Sequence, residues 1–271
     1  MLAGHYVVAG VIVSLSAGAS AFVLLYRLAL PKLGAAGATR TVLFLAVSPM
    51  SLFLGVAYSE SLFLALAVGC FVLAEQGRLG WAAALAGMAL LTRSQGVALL
   101  PALVVFAWPR PDRWRALATI TIAPAMFLAY PATLWVWIGR PLAFLDAEDQ
   151  WERHLSPFGP FGGIAQALAD RDVVSLAFAV VAAALAVVAW RRFGPAYGLY
   201  AAGVLVLAMS VPSERLGGLY SFPRLSLVAF PCFMGLAAVV VGRRREWAVV
   251  LASGALLSLY VVRWSLWYWV S

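Results

Sequence analysis

Long apolar runs separated by short clusters of charged residues dominate the chain. The runs show no period-two alternation of the kind that marks a transmembrane β-strand. Several are long enough to cross about 30 Å of hydrocarbon as a helix rising 1.5 Å per residue. The pattern predicts an all-α, polytopic transmembrane helical bundle with about ten membrane segments. They lie roughly at 7–30, 41–57, 60–75, 80–92, 97–108, 116–138, 173–190, 196–212, 222–241 and 247–268.

Two of the predicted segments, 80–92 and 97–108, are short for a complete span. They fit tilted helices, and they equally fit the arms of a re-entrant hairpin around the sequence LLTRSQG, which ends at Gly96. Both alternatives leave the orientation of the later segments unchanged.

Composition supports a membrane protein. Hydrophobic residues make up 64% of the 271 residues and charged residues only 11%, whereas soluble domains are about half apolar and a quarter charged. We therefore expect one integral membrane domain over residues 1–271. Cys70 and Cys232 lie inside apolar runs without a CxxC partner or a neighbouring histidine, so we expect no disulfide, no metal site and no cofactor.

The net charge of +8 has a topological explanation. Basic residues cluster in alternate loops, which the positive-inside rule places in the cytoplasm, and the plasma membrane is the expected location. These clusters are Arg27 with Lys32 and Arg40, then Arg78, then Arg110 with Arg113 and Arg115, then Arg191 with Arg192, and finally Arg243 to Arg245. Nucleic acid is therefore not needed as a partner to explain the charge.

The opposite, external side carries two longer loops, at about 139–172 and 212–224. Both mix aromatic, acidic and basic residues with glycine and proline. Loops of this kind beside a membrane-embedded cavity are a common place for function. We expect the active face of the protein here.

Glu60 is the one charged residue in the long run between Arg40 and Glu75. A carboxylate at this depth is costly unless it reaches water or a partner. One interpretation is an interfacial turn, in which Ser59 caps the following helix. The alternative is a carboxylate that lines an external cavity, where it binds a polar ligand or braces Arg93.

Arg93 lies between two apolar half-segments and keeps its charge at any relevant pH. A guanidinium in that position needs an anionic partner, which could be a lipid phosphate, a substrate phosphate or Glu60. Gln95 adds a polar group, and Gly96 would let a ligand approach closely. The alternative is an arginine that snorkels to the interface from a helix end.

The external loops add further candidate binding residues. The segment FLDAEDQWERH contains Trp151, whose indole suits stacking on a sugar or anchoring among headgroups. A solvated loop helix accounts for the acids around it. The second loop contributes Arg215, Tyr220 and Arg224, and its two arginines fit either a bound phosphate or simple headgroup contact. Soluble nucleotide-binding and hydrolase motifs are missing, which favours a lipid-linked donor for any group transfer.

Four blocks of sequence resemble the PIG-V-like mannosyltransferases, relatives of the second GPI mannosyltransferase. In chain order they are SPMSLFLGVAYSESLFLALAVG, GRLGWAAALAGMALLTRSQGVALLPAL, GRPLAFLDAEDQWERHLSP and SFPRLSLVAFPCFMGLA, and together they extend over nearly the whole chain. The resemblance implies a GT-C fold, in which a multi-helix membrane glycosyltransferase works on the external or lumenal face. It also implies a polyprenyl-phosphate sugar as donor, typically polyprenyl-phosphate-mannose.

The chain departs from that family at its N-terminal side. GT-C enzymes place an acidic base in the first external loop, whereas no Asp or Glu precedes Glu60 here. The first apolar run also begins almost at Met1 and has its basic flank at its C-terminal end, which places the N-terminus outside. We expect an upstream helix and the acidic loop to be missing from this sequence, and we assign no catalytic base.

These observations favour a membrane glycosyltransferase that moves a sugar, most readily mannose, to a lipid or glycan acceptor on the external face. Arg93, Arg215 or Arg224 would hold the departing phosphate, Glu60 would orient an arginine or a sugar hydroxyl, and Trp151 would contact sugar or acceptor. The alternative is an inactive or truncated polytopic protein that binds or moves polyprenyl-linked lipids within the membrane. An ion-coupled transporter fits less well, because only one interrupted segment is visible.

Overall fold

The described part of the chain is entirely helical in its regular structure, as the sequence predicts. The computed structural model describes residues 3–149, 154–213, 217–268 and 270. These ranges contain no strand, only an isolated bridge between Ser213 and Gly217. Their helices are α1 Ala3–Ala46, α2 Glu60–Glu75, α3 Leu79–Thr92, α4 Leu99–Ala107, α5 Arg113–Ile120, α6 Ile122–Ile138, α7 Ala143–Asp149, α8 Pro160–Ala169, α9 Val173–Phe193, α10 Pro195–Met209, α11 Phe222–Leu225, α12 Phe230–Val239 and α13 Arg243–Ser265.

Four helical stretches of the described residues are long and apolar enough to cross a membrane. They are His5–Ala46, Arg113–Ile138, Val173–Phe193 and Arg243–Ser265. A fifth span is obtained if Phe222–Val228 and Phe230–Val239, which meet at 83°, are counted as one. The helices are consistent with a membrane protein, but the predicted number of about ten segments is not confirmed.

Breaks in the backbone divide two of the predicted apolar runs. The run at 41–57 is divided into the end of α1 and a 3-10 helix over Ser51–Leu54. The run at 222–241 bends at Ala229, whose ψ of 61° is not helical. Hydropathy measures how apolar a run is, and it does not reveal where its backbone turns. Apolar runs therefore do not correspond one to one with unbroken helices.

Helix α1 contains a break of its own at Gly34. This residue has φ of 67° and ψ of 175°, values that a glycine adopts without steric cost. Pro31 lies one turn earlier. Helix α1 is thus two helices joined by an elbow, and its two parts pack mainly against α2 and α12.

Aromatic rings fill the centre of the bundle. Phe71 of α2 contacts Phe106, Tyr197, Tyr200 and Phe230 at ring-centroid distances of 4.9 to 5.5 Å. These rings come from α4, α10 and α12, so one side chain connects four helices. Tyr200 is fully buried and its hydroxyl donates to the Val228 carbonyl at 2.9 Å. The Tyr197 hydroxyl donates to Glu75 Oε1 at 2.6 Å, so both tyrosine hydroxyls of this cluster have a partner.

The bundle has two chemically different ends. At one end Lys32 binds the Glu75 carboxylate at 2.7 Å, and Arg110 donates to the Gly77 carbonyl at 3.1 Å. We call this the basic end. Glu60 starts the helix that Glu75 finishes, so it lies about 22 Å away at the other end. The loops predicted to be external meet there: Gln166 donates to the Ser213 carbonyl at 3.0 Å.

Candidate functional site

A buried cluster of charge occupies the end of the bundle that contains Glu60. The Glu60 Oε1 atom lies 2.8 Å from Arg93 Nη1 and 2.6 Å from Arg224 Nε. The Glu60 side chain is 0% exposed, and those of Arg93 and Arg224 are 12% and 14% exposed. We call these three residues the Glu60 triad. Two guanidinium cations against one carboxylate leave the triad with a net positive charge.

Glu60 takes its position from the start of α2. The chain bends through residues 55–59 and enters the helix at Glu60, where a carboxylate is favoured by the helix dipole. Ser59 precedes the helix, but its side chain makes no capping hydrogen bond. Its Oγ instead accepts a hydrogen bond from Arg93 Nη1 at 3.1 Å. The interpretation of Ser59 as a side-chain cap is therefore wrong, and Glu60 braces Arg93 as the alternative predicted.

Arg93 stands where α3 ends. Its backbone is extended, with φ of −155° and ψ of 145°, and a 3-10 helix over Ser94–Ala98 follows. Its Nε donates to Gln95 Oε1 at 3.2 Å, so Gln95 is part of the same polar cluster. This turn carries the guanidinium toward Glu60. The Arg93 side chain is mostly buried, at 12% exposed, where it makes these contacts.

Gly96 has a different role from the one the sequence suggests. A Cβ at this position would lie 2.6 Å from the Leu90 backbone nitrogen and 2.9 Å from the Ala89 carbonyl carbon. The glycine therefore lets the 3-10 turn pack directly against the end of α3. Gly96 helps to place Arg93 because it packs against the backbone of α3. The group that approaches this glycine closely is α3, where the sequence suggested a ligand.

Arg224 is held by aromatic rings as well as by Glu60. Its guanidinium carbon lies 4.3 Å from the centroid of Phe53 and 4.2 Å from that of Tyr58. Trp264 of α13 contacts the same two rings at 5.4 and 6.1 Å. Stacking on aromatic faces suits the flat guanidinium and stabilises a desolvated cation. We call Phe53, Tyr58 and Trp264 the aromatic box.

The backbone before Arg224 is strained. Ser221 is buried and has φ of 59°, a left-handed conformation that is uncommon outside glycine. It begins the short helix α11, which contains Pro223 and Arg224. Strain of this kind is maintained only when the surroundings enforce it, and it is concentrated at functional sites. Here it fixes the turn from which Arg224 reaches Glu60.

One carboxylate oxygen of the triad has no hydrogen-bond donor among the described residues. Glu60 Oε2 is buried and makes no hydrogen bond to any of the described residues. A buried acceptor without a donor costs about 1–3 kcal/mol, and more when it is charged. The oxygen is therefore suited to accept a hydrogen bond from a hydroxyl or a water.

The remaining predicted residues are only partly described. Tyr220 is buried in the loop before Arg224. Asp146 pairs with Arg140 at 2.7 Å on the surface, as expected for a solvated loop helix. Trp151 and Arg215 lie outside the described residues, so their roles stay predictions. Within the described ranges, no group of three or more His, Cys, Asp or Glu side chains is close enough to hold a metal ion.

The aromatic box was missed by the sequence analysis. Phe53 and Tyr58 precede Glu60 by only a few residues, but Trp264 lies some two hundred positions later in the chain. One aromatic residue among many in apolar runs carries no signal of its own. Only the packing of α13 on the 3-10 helix brings Trp264 to the site.

Two surface cavities lie away from the triad. One, of about 600 Å³, is at the beginning of α3. The other, of about 320 Å³, is an apolar groove between α9 and α10. Neither is lined by a triad residue. The external cavity predicted beside Glu60 and Arg93 thus stays a prediction.

Comparisons of the chain with protein-family models, with curated proteins and with solved structures give no match.

Proposed function

We propose that the chain is a GT-C-type membrane glycosyltransferase of PIG-V-like character. It transfers a sugar, mannose by preference, from a polyprenyl-phosphate donor to a lipid or glycan acceptor. The reaction takes place on the external face of the plasma membrane. The observation that carries this proposal is the Glu60 triad, in which two arginines converge on one buried carboxylate.

The two arginines of the triad suit a departing phosphate, which is an anion. When the bond from the anomeric carbon to the donor phosphate breaks, negative charge increases on the phosphate oxygens, and a cation held in place stabilises the transition state. Arg224 Nη1 and Nη2 donate to none of the described residues, while its Nε is anchored by Glu60. An arginine fixed at one edge presents its other donors to a phosphate with little loss of entropy. Arg93 adds charge from the other side of Glu60.

The sugar would lie against the remaining groups of the site. Glu60 Oε2 accepts a hydrogen bond from a sugar hydroxyl, which supplies the donor that this buried oxygen lacks within the described residues. Tyr58, 38% exposed at the rim of the aromatic box, offers a ring on which an apolar sugar face packs. These contacts orient the anomeric carbon relative to the arginines. The triad thus binds both the phosphate and the sugar.

Glu60 itself acts as a counter-ion in this scheme. Inverting transfer needs a carboxylate that takes the proton of the acceptor hydroxyl. A buried carboxylate bridged by two arginines is already committed to those cations, and removing its charge would weaken its contacts with both. We therefore assign the base to no described residue.

The test is transfer of radiolabelled mannose from polyprenyl-phosphate-mannose by the purified chain in proteoliposomes. Arg93→Ala should lower the rate by about a hundredfold, the cost of one charge-stabilising donor. Folding should persist, because Glu60 stays paired with Arg224. Arg140→Ala, at an exposed arginine of the same end, should retain full activity. An Arg93→Ala protein that transfers at the original rate would refute the role of the triad.

A second candidate is a protein that binds or moves polyprenyl-linked lipids without transferring sugar. The commitment of Glu60 to two arginines favours it, because the site then holds an anionic headgroup but lacks an assigned base. In the same proteoliposomes, this function gives saturable binding of polyprenyl phosphate that Arg93→Ala weakens, with no labelled product. Transfer to any acceptor would exclude it.

A further inference from the structure

A groove at the basic end has no role in the proposed reaction. It is an open surface depression of about 600 Å³, lined by Gly77, Arg78, Gly80, Trp81, Ala84 and Ile122. We call it the α3 groove, because most of its lining belongs to the first turns of that helix. It opens about 20 Å from the Glu60 triad along the bundle, since α3 joins the two ends.

One rim of the groove is cationic. Arg78 is exposed and lines the groove directly. Arg110 lies against Gly77: its Nη1 donates to the Gly77 carbonyl at 3.1 Å, and its Nε binds Asp112 at 3.1 Å. A Cβ at Gly77 would stand 3.1 Å from the same Nη1 atom. The second arginine is therefore fixed at the edge of the groove by backbone contact.

Acidic groups in the neighbourhood are already engaged. Asp112 is bound by Arg110, and Glu75 is bound by Lys32 at 2.7 Å and by the Tyr197 hydroxyl at 2.6 Å. Arg113 stacks near the rings of Trp108 and Trp114 at 5.8 and 5.3 Å. The exposed face around the groove is thus positive, and the Arg78 side chain makes no hydrogen bond or ion pair with any other described residue.

The other side of the groove is apolar. Ala84 and Ile122 form its wall, and Trp81 is 71% exposed at its edge. Trp108 and Trp114 are also largely exposed. Tryptophan and arginine together at the end of membrane helices are typical of the headgroup region of a bilayer. A ligand that fills the groove must therefore be anionic at one end and apolar at the other.

We propose that the α3 groove binds the phosphate headgroup of an anionic phospholipid from the leaflet at the basic end. Arg78 contacts the phosphate, Arg110 adds its charge, and Trp81 with Ile122 contacts the glycerol and the upper acyl chain. Anionic lipids are attracted to basic segments at this depth. The proposal requires only that the long helices cross a membrane, and it does not depend on the transfer reaction.

The experiment measures binding of short-chain phosphatidylglycerol to the purified chain in neutral detergent, by native mass spectrometry and thermal stabilisation. Arg78→Gln should raise the dissociation constant about tenfold, the effect of losing one charge-assisted hydrogen bond. Gly80→Leu keeps every charge but fills the groove, since nothing lies within 4 Å of a Cβ at Gly80. We expect Gly80→Leu to abolish binding of phosphatidylglycerol. Arg244→Gln, an exposed arginine in the basic cluster at the start of α13, should bind as the parent does.

Two comparisons distinguish binding in the α3 groove from general electrostatic attraction of anions to a basic surface. Phosphatidylcholine of the same chain length should bind at least tenfold more weakly than phosphatidylglycerol, and inorganic phosphate should give no stabilisation. Equal losses in Arg78→Gln and Arg244→Gln, or binding that survives in Gly80→Leu, would overturn the proposal. Stabilisation by inorganic phosphate alone would equally overturn it, because it would show that no lipid is required.

Discussion

At the scale of single residues, Glu60 shows how an isolated charge in an apolar run is accommodated. A carboxylate removed from water is costly, and the cost is offset only by close partners with good geometry. Here one oxygen accepts a hydrogen bond from Arg224 and forms an ion pair with Arg93, and the side chain is completely buried. The three residues are therefore coupled, and changing one alters the environment of the other two.

Arg224→Lys tests whether the shape of the cation matters as well as its charge. Lysine keeps the charge but lacks the flat surface that lies between Phe53 and Tyr58 while donating to Glu60. We expect the free energy of unfolding to fall by about 2 kcal/mol, which is the value of a hydrogen bond to a charged group. Thermal unfolding in detergent measures the change.

The control is Arg140→Lys at the exposed pair with Asp146, where we expect a change below about 0.5 kcal/mol. Equal stability of Arg224→Lys and the parent protein would mean that stacking in the aromatic box contributes nothing.

Residue types and positions were enough to find two members of the triad. Glu60 and Arg93 are single charges in long apolar runs, and such charges need partners. Arg224 was named as a candidate from its loop, but its pairing with Glu60 follows no pattern of spacing. The two residues are 164 positions apart, and only folding decides that they meet.

At the scale of elements, the junction between α3 and the following 3-10 helix places the site. The chain leaves α3 at Arg93, turns over Ser94–Ala98 and continues into α4. Gly96 allows this turn because it packs on the backbone of Ala89 and Leu90. The direction of the Arg93 side chain thus depends on a residue that has no polar side chain at all.

Gly96→Ala should disturb that junction. The added methyl group would stand 2.6 Å from the Leu90 nitrogen, so the turn must move away from α3. We expect a loss of about 1–3 kcal/mol in unfolding free energy, the usual cost of overpacking. Thermal unfolding gives the stability, and the mannose-transfer assay shows whether Arg93 has moved.

Gly254→Ala in α13 is the matched control, because nothing lies within 4 Å of a Cβ there. It should leave stability unchanged or raise it by up to about 1 kcal/mol, since alanine is the better helix former. A Gly96→Ala protein as stable as this control would contradict the packing role of Gly96.

Helix positions followed from the sequence more closely than helix lengths did. Helices α2, α3 and α9 begin within a residue or so of the predicted apolar runs at 60–75, 80–92 and 173–190. The 83° bend before Phe230 was not foreseen, because it occurs inside an apolar stretch, where a turn of the backbone does not change hydropathy. The break at Gly34 lies between the first two predicted runs, in a stretch that is helical on either side of it.

At the scale of the whole molecule, the separation of charge defines two ends. Lysine and arginine from distant loops gather at the end with Glu75, while Glu60, Arg93 and Arg224 share the other. Loops rich in basic residues stay in the cytoplasm during insertion. The proposed orientation with the triad outside is an inference from that rule.

Cysteine labelling tests this orientation. Cys70 and Cys232 are the two cysteines of the sequence. Replacing both by alanine removes every thiol that a membrane-impermeant maleimide could label, and both side chains are buried. In that background Arg140→Cys should be labelled in intact cells, and Arg244→Cys only after permeabilisation, because both positions are exposed at opposite ends. Labelling of Arg244→Cys alone in intact cells would reverse the orientation and refute an external active face.

By itself the sequence determined that the protein is helical, apolar and marked by a few isolated charges, because hydropathy and charge are properties of residues taken in order. Only the tertiary structure decided that Glu60 joins Arg93 to Arg224, that Trp264 completes the aromatic box, and where apolar runs bend. Those facts depend on contacts between residues far apart in the chain. Their free energy comes from burial and pairing, which exist only once the helices have packed together.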